Sequence, residues 1–289
     1  MLEASSRQEL REHIQAWRSS GQTIALVPTM GNLHAGHLAL VRAAREEADR
    51  VVTSIYVNPT QFAANEDLAN YPRTPEEDRE SLLQAACDLV FTPDSNTIYP
   101  HGSDDACMLS APPSLASVLE GEFRPGHFDG VVTVVSRLFN LVTPDVAIFG
   151  EKDYQQLLVI QRMVKDLGYA INIQALPTVR EGGGLALSSR NRYLDARQKV
   201  AAQNLSAVLQ DVAALATEPG AEFQDLESQA KKRLENYDLI ADYLVIRRAQ
   251  DLDLPRQGDR DLRVLAAVWC GKTRLIDNLN TNWACNHDD

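Results

Sequence analysis

The chain has 289 residues, with 28 Lys and Arg against 40 Asp and Glu, a formal net charge of −12. That acidity argues against a nucleic-acid partner, which needs a basic stripe, but leaves room for a local cationic cluster that takes small anions. No apolar run approaches the ~20 residues that span a bilayer, so no membrane partner is expected. The start, M-L-E-A-S-S-R-Q-E-L, is too polar for a secretory signal. The cysteines at 87, 107, 270 and 285 form no C-x-x-C pair, which reads as reduced thiols in a cytoplasmic protein.

Short apolar, β-branched runs predict strands at 23–27, 51–57, 89–92, 146–149 and 171–175. Between them, helical periodicity predicts helices at 38–48, 75–86, 131–141 and 154–167. The second of these has a capping residue in Thr74, a first-turn Pro75, and Glu76, Glu77 and Asp78 to complement the dipole. Such alternation implies an α/β, doubly wound, Rossmann-like parallel sheet with its ligands beyond the carboxyl ends of the strands. The pattern changes near 178. Residues 178–192 are loop-like and carry Gly182, Gly183 and Gly184. Helices at 196–216 and 222–236 and strands at 240–246, 262–269 and 273–279 follow. This predicts domains at 1–178 and 179–289, the second a smaller α+β domain hinged at the glycines. The stretch from Cys285 to Asp289 is expected to fray.

Three unusual segments follow strand ends. Met30, Gly31, Asn32, Leu33, His34, Ala35, Gly36 and His37 lie between the first strand and its helix. A strand–turn–helix of this kind makes an anion site, with unpaired N–H groups and the helix dipole aimed at the ligand. Two histidines three residues apart share one face and can donate to phosphate. A zinc pair is the weaker alternative, because no third ligand stands at zinc spacing. Asn58-Pro59-Thr60-Gln61 follows the second strand, and Gly150-Glu151-Lys152-Asp153 the fourth. Lys152 suits phosphate and Asp153 ribose hydroxyls, although an N-cap with a surface lysine fits the same residues. Leu187, Ser188, Ser189 and Arg190 could close over phosphates, or Ser188 or Asn191 could simply cap a helix. Gln61 and Gln156 are neutral amides able to fix a hydroxyl or carboxylate. The stretch from Arg124 to Gly130 is turn-rich and says no more by itself. Gly271-Lys272-Thr273 is not a phosphate loop, since the required upstream glycine is Ala266, and the triple glycine is no dinucleotide fingerprint.

The H-x-G-H turn resembles the nucleotidyltransferase superfamily. The ordered set P-T-M-G-N-L-H-A-G-H, Y-V-N-P-T-Q-F, Y-P-R-T, R-P-G-H-F-D-G-V, F-G-E-K-D-Y-Q-Q-L and L-A-L-S-S-R-N, from Pro28 to Asn191, resembles the narrower pantoate–β-alanine ligase family. That resemblance implies an ATP- and Mg²⁺-dependent condensation of pantoate with β-alanine through pantoyl adenylate, usually in a homodimer. It implies that His34 and His37 bind the triphosphate, with His37 as proton donor, and that Met30 to His37 form the first ATP contact. Gly150, Glu151, Lys152 and Asp153 would hold ribose and phosphate, Val179 would pack by adenine, and Leu187 to Arg190 would form a lid contact. Gln61 and Gln156 would hold pantoate, with Asn58 lining the pocket; Glu77 and Asp78 are weak Mg²⁺ candidates. One departure is Gly183, where the family's segment usually has Asp; it implies a more mobile lid and a raised Michaelis constant for ATP.

Overall fold

The computed structural model describes all residues except 63–67, 69–70, 257 and 282–289, so the stretch expected to fray lies outside the described residues. The chain divides into two compact units. One comprises Met1–Glu151 and Gln155–Pro177, the other Lys152–Tyr154 and Thr178–Asp289.

In the first unit, β1 (Leu2–Ala4) and α1 (Arg7–Ser19) precede β2 (Ile24–Thr29), α2 (Ala35–Glu47), β3 (Arg50–Ile55), α3 (Pro75–Gln84) and β4 (Leu89–Phe91). Three short helices follow, α4 (Ser95–Ile98), α5 (Pro113–Ala116) and α6 (Glu120–Phe123). Then come α7 (His127–Val142), β5 (Val146–Gly150), α8 (Tyr154–Leu167) and β6 (Asn172–Leu176). The sheet order is β1-β4-β3-β2-β5-β6, and every pairing is parallel. The order reverses between β2 and β5, which makes their carboxyl ends the switch point of the doubly wound sheet. Ile24, Ala25, Leu26 and Val27 of β2 and Val51 and Val52 of β3 are buried, as a sheet covered on both faces requires.

Several expected boundaries move, each for a local reason. Sequence reading omits α1 because its buried stripe, Leu10, Ile14 and Trp17, is narrow and set among charges; a Ser6–Glu9 capping box starts it. Helix α2 begins at Ala35, three residues early, because His34 serves as its N-cap. Helix α7 begins at His127, after Gly126 takes φ +79°. Thr74 makes no side-chain cap bond to α3; its hydroxyl instead donates to Asp78 Oδ1 at 3.1 Å.

In the second unit, α9 (Ala196–Leu215) opens with an Asp195–Gln198 capping box, and α10 (Phe223–Glu235) follows. The antiparallel sheet β7 (Leu239–Arg248), β8 (Leu262–Cys270) and β9 (Thr273–Asn280) packs Leu244, Val264 and Leu275 against Leu205, Leu209 and Leu234 of the helices. The triple glycine is not a hinge. Arg180 and Ala186 bridge antiparallel, Glu181 N–H donates to Leu185 O and Gly184 N–H to Glu181 O, so the glycines close a tight hairpin. Among the described residues no helix is long and apolar enough to cross a membrane.

Candidate active site

The turn after β2 is built around one carboxylate. Gly31 and Asn32 both take positive φ, +79° and +51°. A Cβ on Gly31 would sit 3.0 Å from both Asp78 Oδ2 and Ile55 Cγ2, so glycine is required there on two counts. Asp78, 2% exposed, accepts the N–H groups of Asn32 at 2.9 Å and Leu33 at 2.7 Å. Gly31 N–H donates to Thr29 Oγ1, Gly36 N–H to His34 Nδ1 at 3.2 Å, and His34 N–H to His37 Nδ1 at 3.3 Å. The expectation that these backbone donors are presented to an anion is therefore corrected: the protein itself engages the N–H groups of Gly31, Asn32, Leu33, His34 and Gly36. What the turn presents is a pair of imidazoles, stacked at 4.0 Å between centroids and 28° between planes. Because each Nδ1 accepts, each neutral ring carries its hydrogen on Nε2.

Gln61 ends the 3-10 turn Pro59–Gln61. Its Nε2 donates to Met30 Sδ at 3.2 Å, and its Oε1 accepts from Asn58 Nδ2 at 3.2 Å. The turn rests on the start of α7. At Gly130 a Cβ would lie 2.4 Å from Thr60 O, so only glycine permits the approach. His127 Nδ1 donates to Gln61 O at 2.8 Å, and Arg124 Nη1 donates to His127 Nε2 at 3.1 Å. The turn-rich stretch 124–130, which carries no function by sequence alone, thus holds the Gln61 backbone. Asn58, expected to line the pocket, is 1% exposed. Its two amide hydrogens go to Gln61 Oε1 and Gly130 O, while Oδ1 accepts from Tyr99 Oη and Thr60 Oγ1. All four hydrogen-bonding positions of its amide are filled by protein, so Asn58 holds Gln61 in place and has none left for substrate. Burial, chiefly, raises the Tyr99 phenol above its ordinary pKa, which keeps it a donor.

The two glutamines of α8 differ. Gln155 is buried, accepting from Glu120 N–H at 3.1 Å and donating to Leu115 O and Val118 O. Gln156 is half-buried and makes no side-chain hydrogen bond among the described residues, which leaves its amide available.

In the second unit, Lys152 Nζ lies 3.7 Å from Asp153 Oδ1, so the proposed ribose acceptor is also the lysine's ion-pair partner. Asn278 Nδ2 donates to Lys152 O at 2.9 Å, and Arg263 stacks 3.6 Å above the Tyr154 ring. The hairpin carrying Val179 and Leu187 is pinned by Arg180. Its guanidinium meets Asp277 in a bidentate pair at 2.7 and 2.9 Å, and Leu187 N–H donates to Val179 O. Ser188 caps the 3-10 turn Ser189–Tyr193 by accepting from Arg190 N–H, so the alternative of a simple cap describes its hydroxyl. Gly183 has φ +133°, and a Cβ there would meet Gln203 side-chain atoms at 2.6 Å. The Gln203 amide is the far end of a flexible side chain and can move aside, but the φ would strain the family's Asp, and the hairpin's order comes from Arg180. Among the described residues no three His, Cys, Asp or Glu side chains are grouped to hold a metal, and both Asp78 oxygens already accept from protein. Asp78 is thus taken up by the turn, while Glu77 is exposed on the first turn of α3.

Stacked imidazole donors beside a held amide can bind a polyphosphate and a small polar acid. Residues 3–280 match the Pantoate-beta-alanine ligase family. A pantothenate synthetase of Thioalkalivibrio sulfidiphilus is 51% identical over 279 residues, covering 96% of this chain and 97% of that protein. One from Pseudomonas savastanoi pv. phaseolicola is 52% identical, covering 94% and 96%. The crystal structure of pantothenate synthetase from Thermus thermophilus superposes with a TM-score of 0.90 at 42% identity, covering 97% and 99% of the two chains. A pantoate-beta-alanine ligase structure from Francisella tularensis, complexed with beta-gamma ATP and beta-alanine, gives a TM-score of 0.79 at 32% identity, covering 98% of each. By full-length similarity in sequence and fold, the chain belongs to the pantoate–β-alanine ligase family.

Proposed function

We propose that the chain condenses (R)-pantoate with β-alanine in two steps through a pantoyl adenylate. In the first, a pantoate carboxylate oxygen attacks the α-phosphorus of ATP. The new O–P bond forms as the bond to the bridging oxygen breaks, and that electron pair leaves with pyrophosphate. In the second, the β-alanine amine attacks the acyl carbon, the C–N bond forms, the C–O bond to AMP breaks, and the amine proton is released. His34 and His37 would stabilise developing phosphate charge as neutral Nε2–H donors, with His37 sharing its proton in a hydrogen bond to phosphate and keeping it. Lys152 and Arg190 add positive charge at the phosphates, Gly150, Glu151 and Asp153 hold ribose and phosphate, Val179 packs by adenine, and Leu187, Ser188 and Ser189 close over the nucleotide. Gln61 and Gln156 hold pantoate. Mg²⁺ arrives with its nucleotide as MgATP. Residues 1–178 serve as the ATP- and pantoate-binding catalytic domain, 179–289 as the lid, in a cytoplasmic homodimer.

The observation that carries this reading is the stacked pair His34 and His37 at the end of β2, each with Nδ1 pinned by a backbone N–H. The test is pyrophosphate release that requires pantoate, then AMP release that requires β-alanine. With pantoate labelled by ¹⁸O in its carboxylate, the adenylate route puts label into AMP. Unlabelled AMP, or ADP as product, overturns it.

A further inference from the structure

We propose that Tyr99 is a positioning residue, the head of a one-way hydrogen-bond relay that aims an N–H of Gln61 at an acceptor oxygen of pantoate. The proposal rests on the reading that Gln61 holds pantoate. Tyr99 follows α4, far from the strand-end motifs in sequence, and is 1% exposed. Arg137 lies 4.7 Å above its ring and Thr60 Oγ1 lies 3.2 Å from its hydroxyl. The hydroxyl donates to Asn58 Oδ1 at 2.7 Å.

The polarity of this chain does not depend on telling nitrogen from oxygen in an amide. Gly130 O can only accept, so the Asn58 atom 3.1 Å from it is Nδ2. Oδ1 then faces Tyr99 and Thr60, both of which bring a hydrogen. The second Nδ2 hydrogen faces Gln61, so the Gln61 atom 3.2 Å away is Oε1. Nε2 of Gln61 therefore points the other way, where one hydrogen meets the Met30 sulfur, a weak acceptor. Its other hydrogen is the donor assigned to the substrate. Without the Tyr99 hydroxyl, Gly130 O still sets which way the Asn58 amide faces, but Oδ1 keeps only Thr60, so the amide is held less firmly and the Gln61 amide it supports is less sharply aimed.

The test is a double-mutant cycle of Tyr99→Phe with Gln61→Ala, read as the kcat/KM for pantoate and the KM for ATP in pyrophosphate release. Losing one hydrogen bond of the relay should lower the pantoate kcat/KM about tenfold in the wild-type background, with the ATP KM moved less than about twofold. In the Gln61→Ala background the same Tyr99→Phe change should cost less than about twofold, because the group it positions is gone. Equal losses in both backgrounds overturn the relay, since Tyr99 then acts through packing alone. Impairment by Gln61→Ala with none by Tyr99→Phe overturns it as well. A pantoate kcat/KM unmoved by Gln61→Ala instead overturns the underlying reading of Gln61. Should Tyr99→Phe not fold, Thr60→Val removes the other donor to Asn58 Oδ1 and enters the same cycle. A loss of about threefold that vanishes with Gln61→Ala supports the relay, and an additive loss overturns it.

Discussion

Asp78 is the residue on which the imidazole turn is built, and Asp78→Ala measures its weight. The substitution removes the acceptor of the Asn32 and Leu33 N–H groups, at 2.9 and 2.7 Å, and of the Thr74 hydroxyl. The hydroxyl can rotate to another partner, but the two backbone donors are fixed by the positive-φ turn. Each partly buried donor left without an acceptor costs about 1–1.5 kcal/mol, the lower half of the usual range, for a total of about 2–3 kcal/mol. In a domain of this size that lowers Tm by roughly 4–12 °C. Catalysis should suffer more than stability. The turn carries His34 and His37, and a displacement of about 1 Å at a charge-stabilising group is worth ~10²-fold in rate. Asp78→Asn should lie between, because one amide oxygen still accepts while the amide nitrogen opposes the second N–H. Thermal unfolding and ATP-dependent pyrophosphate release read both effects. A Tm within about 1 °C of wild type, together with a kcat/KM for ATP within about threefold, would refute the reasoning.

Three further outcomes are expected. His37→Ala should lower turnover by ~10²-fold or more with the fold intact by circular dichroism, and near-normal turnover removes His37 from the chemistry. Asp277→Asn breaks the bidentate Arg180 pair, in which Asp277 is 2% exposed as a side chain and Arg180 16%. It should destabilise by about 3 kcal/mol and raise the ATP KM through the loosened Val179–Leu187 hairpin, with the pantoate KM unmoved; unchanged unfolding argues against that anchor. Glu9, held by the N–H of Ser5 first and then that of Ser6, has its carboxyl lowered to about 2. A lowered folded value contributes stability above the ordinary carboxylate range that is lost as pH falls through about 2, so an NMR titration should find Glu9 ionised at pH 3 (roughly one unit above that midpoint).

Much of the architecture is legible in the sequence because its causes are local. β2, β3 and β5 are buried runs bounded by turns, and α8 spans the expected 154–167. The segments that carry chemistry stand out because polar residues and glycine interrupt the pattern at strand ends. Their supports do not, because they lie far off in sequence. Asp78 reaches Asn32 across 46 positions, Tyr99 reaches Asn58 across 41, and Asn58 reaches Gly130 across 72. Nothing in a strand-end motif reveals that its asparagine is satisfied four times by protein. Gln155 and Gln156 are a sharper case. One residue of helix is about 100° of rotation, which separates a glutamine that ties α8 to α5 and α6 from one left available. The glycines at 182–184 suggest a hinge by sequence because glycines mark hinges and tight hairpins alike; the Arg180–Ala186 bridge makes them a hairpin, and the Arg180–Asp277 pair that pins it spans 97 positions.

The hydrogen bonds that start α2 are made by imidazoles with Nδ1 as acceptor. Protonating Nδ1 of His37 would set an N–H against the His34 N–H, and protonating Nδ1 of His34 would set one against the Gly36 N–H. The imidazolium form therefore breaks the caps that start α2, and the two stacked rings would repel as cations at 4.0 Å. Nitrogen-15 spectra of the imidazoles should show Nε2–H and a bare Nδ1 at both positions at neutral pH. An Nδ1–H signal on either ring would mean that the N–H groups of His34 or Gly36 are unclaimed, and would refute the capping geometry.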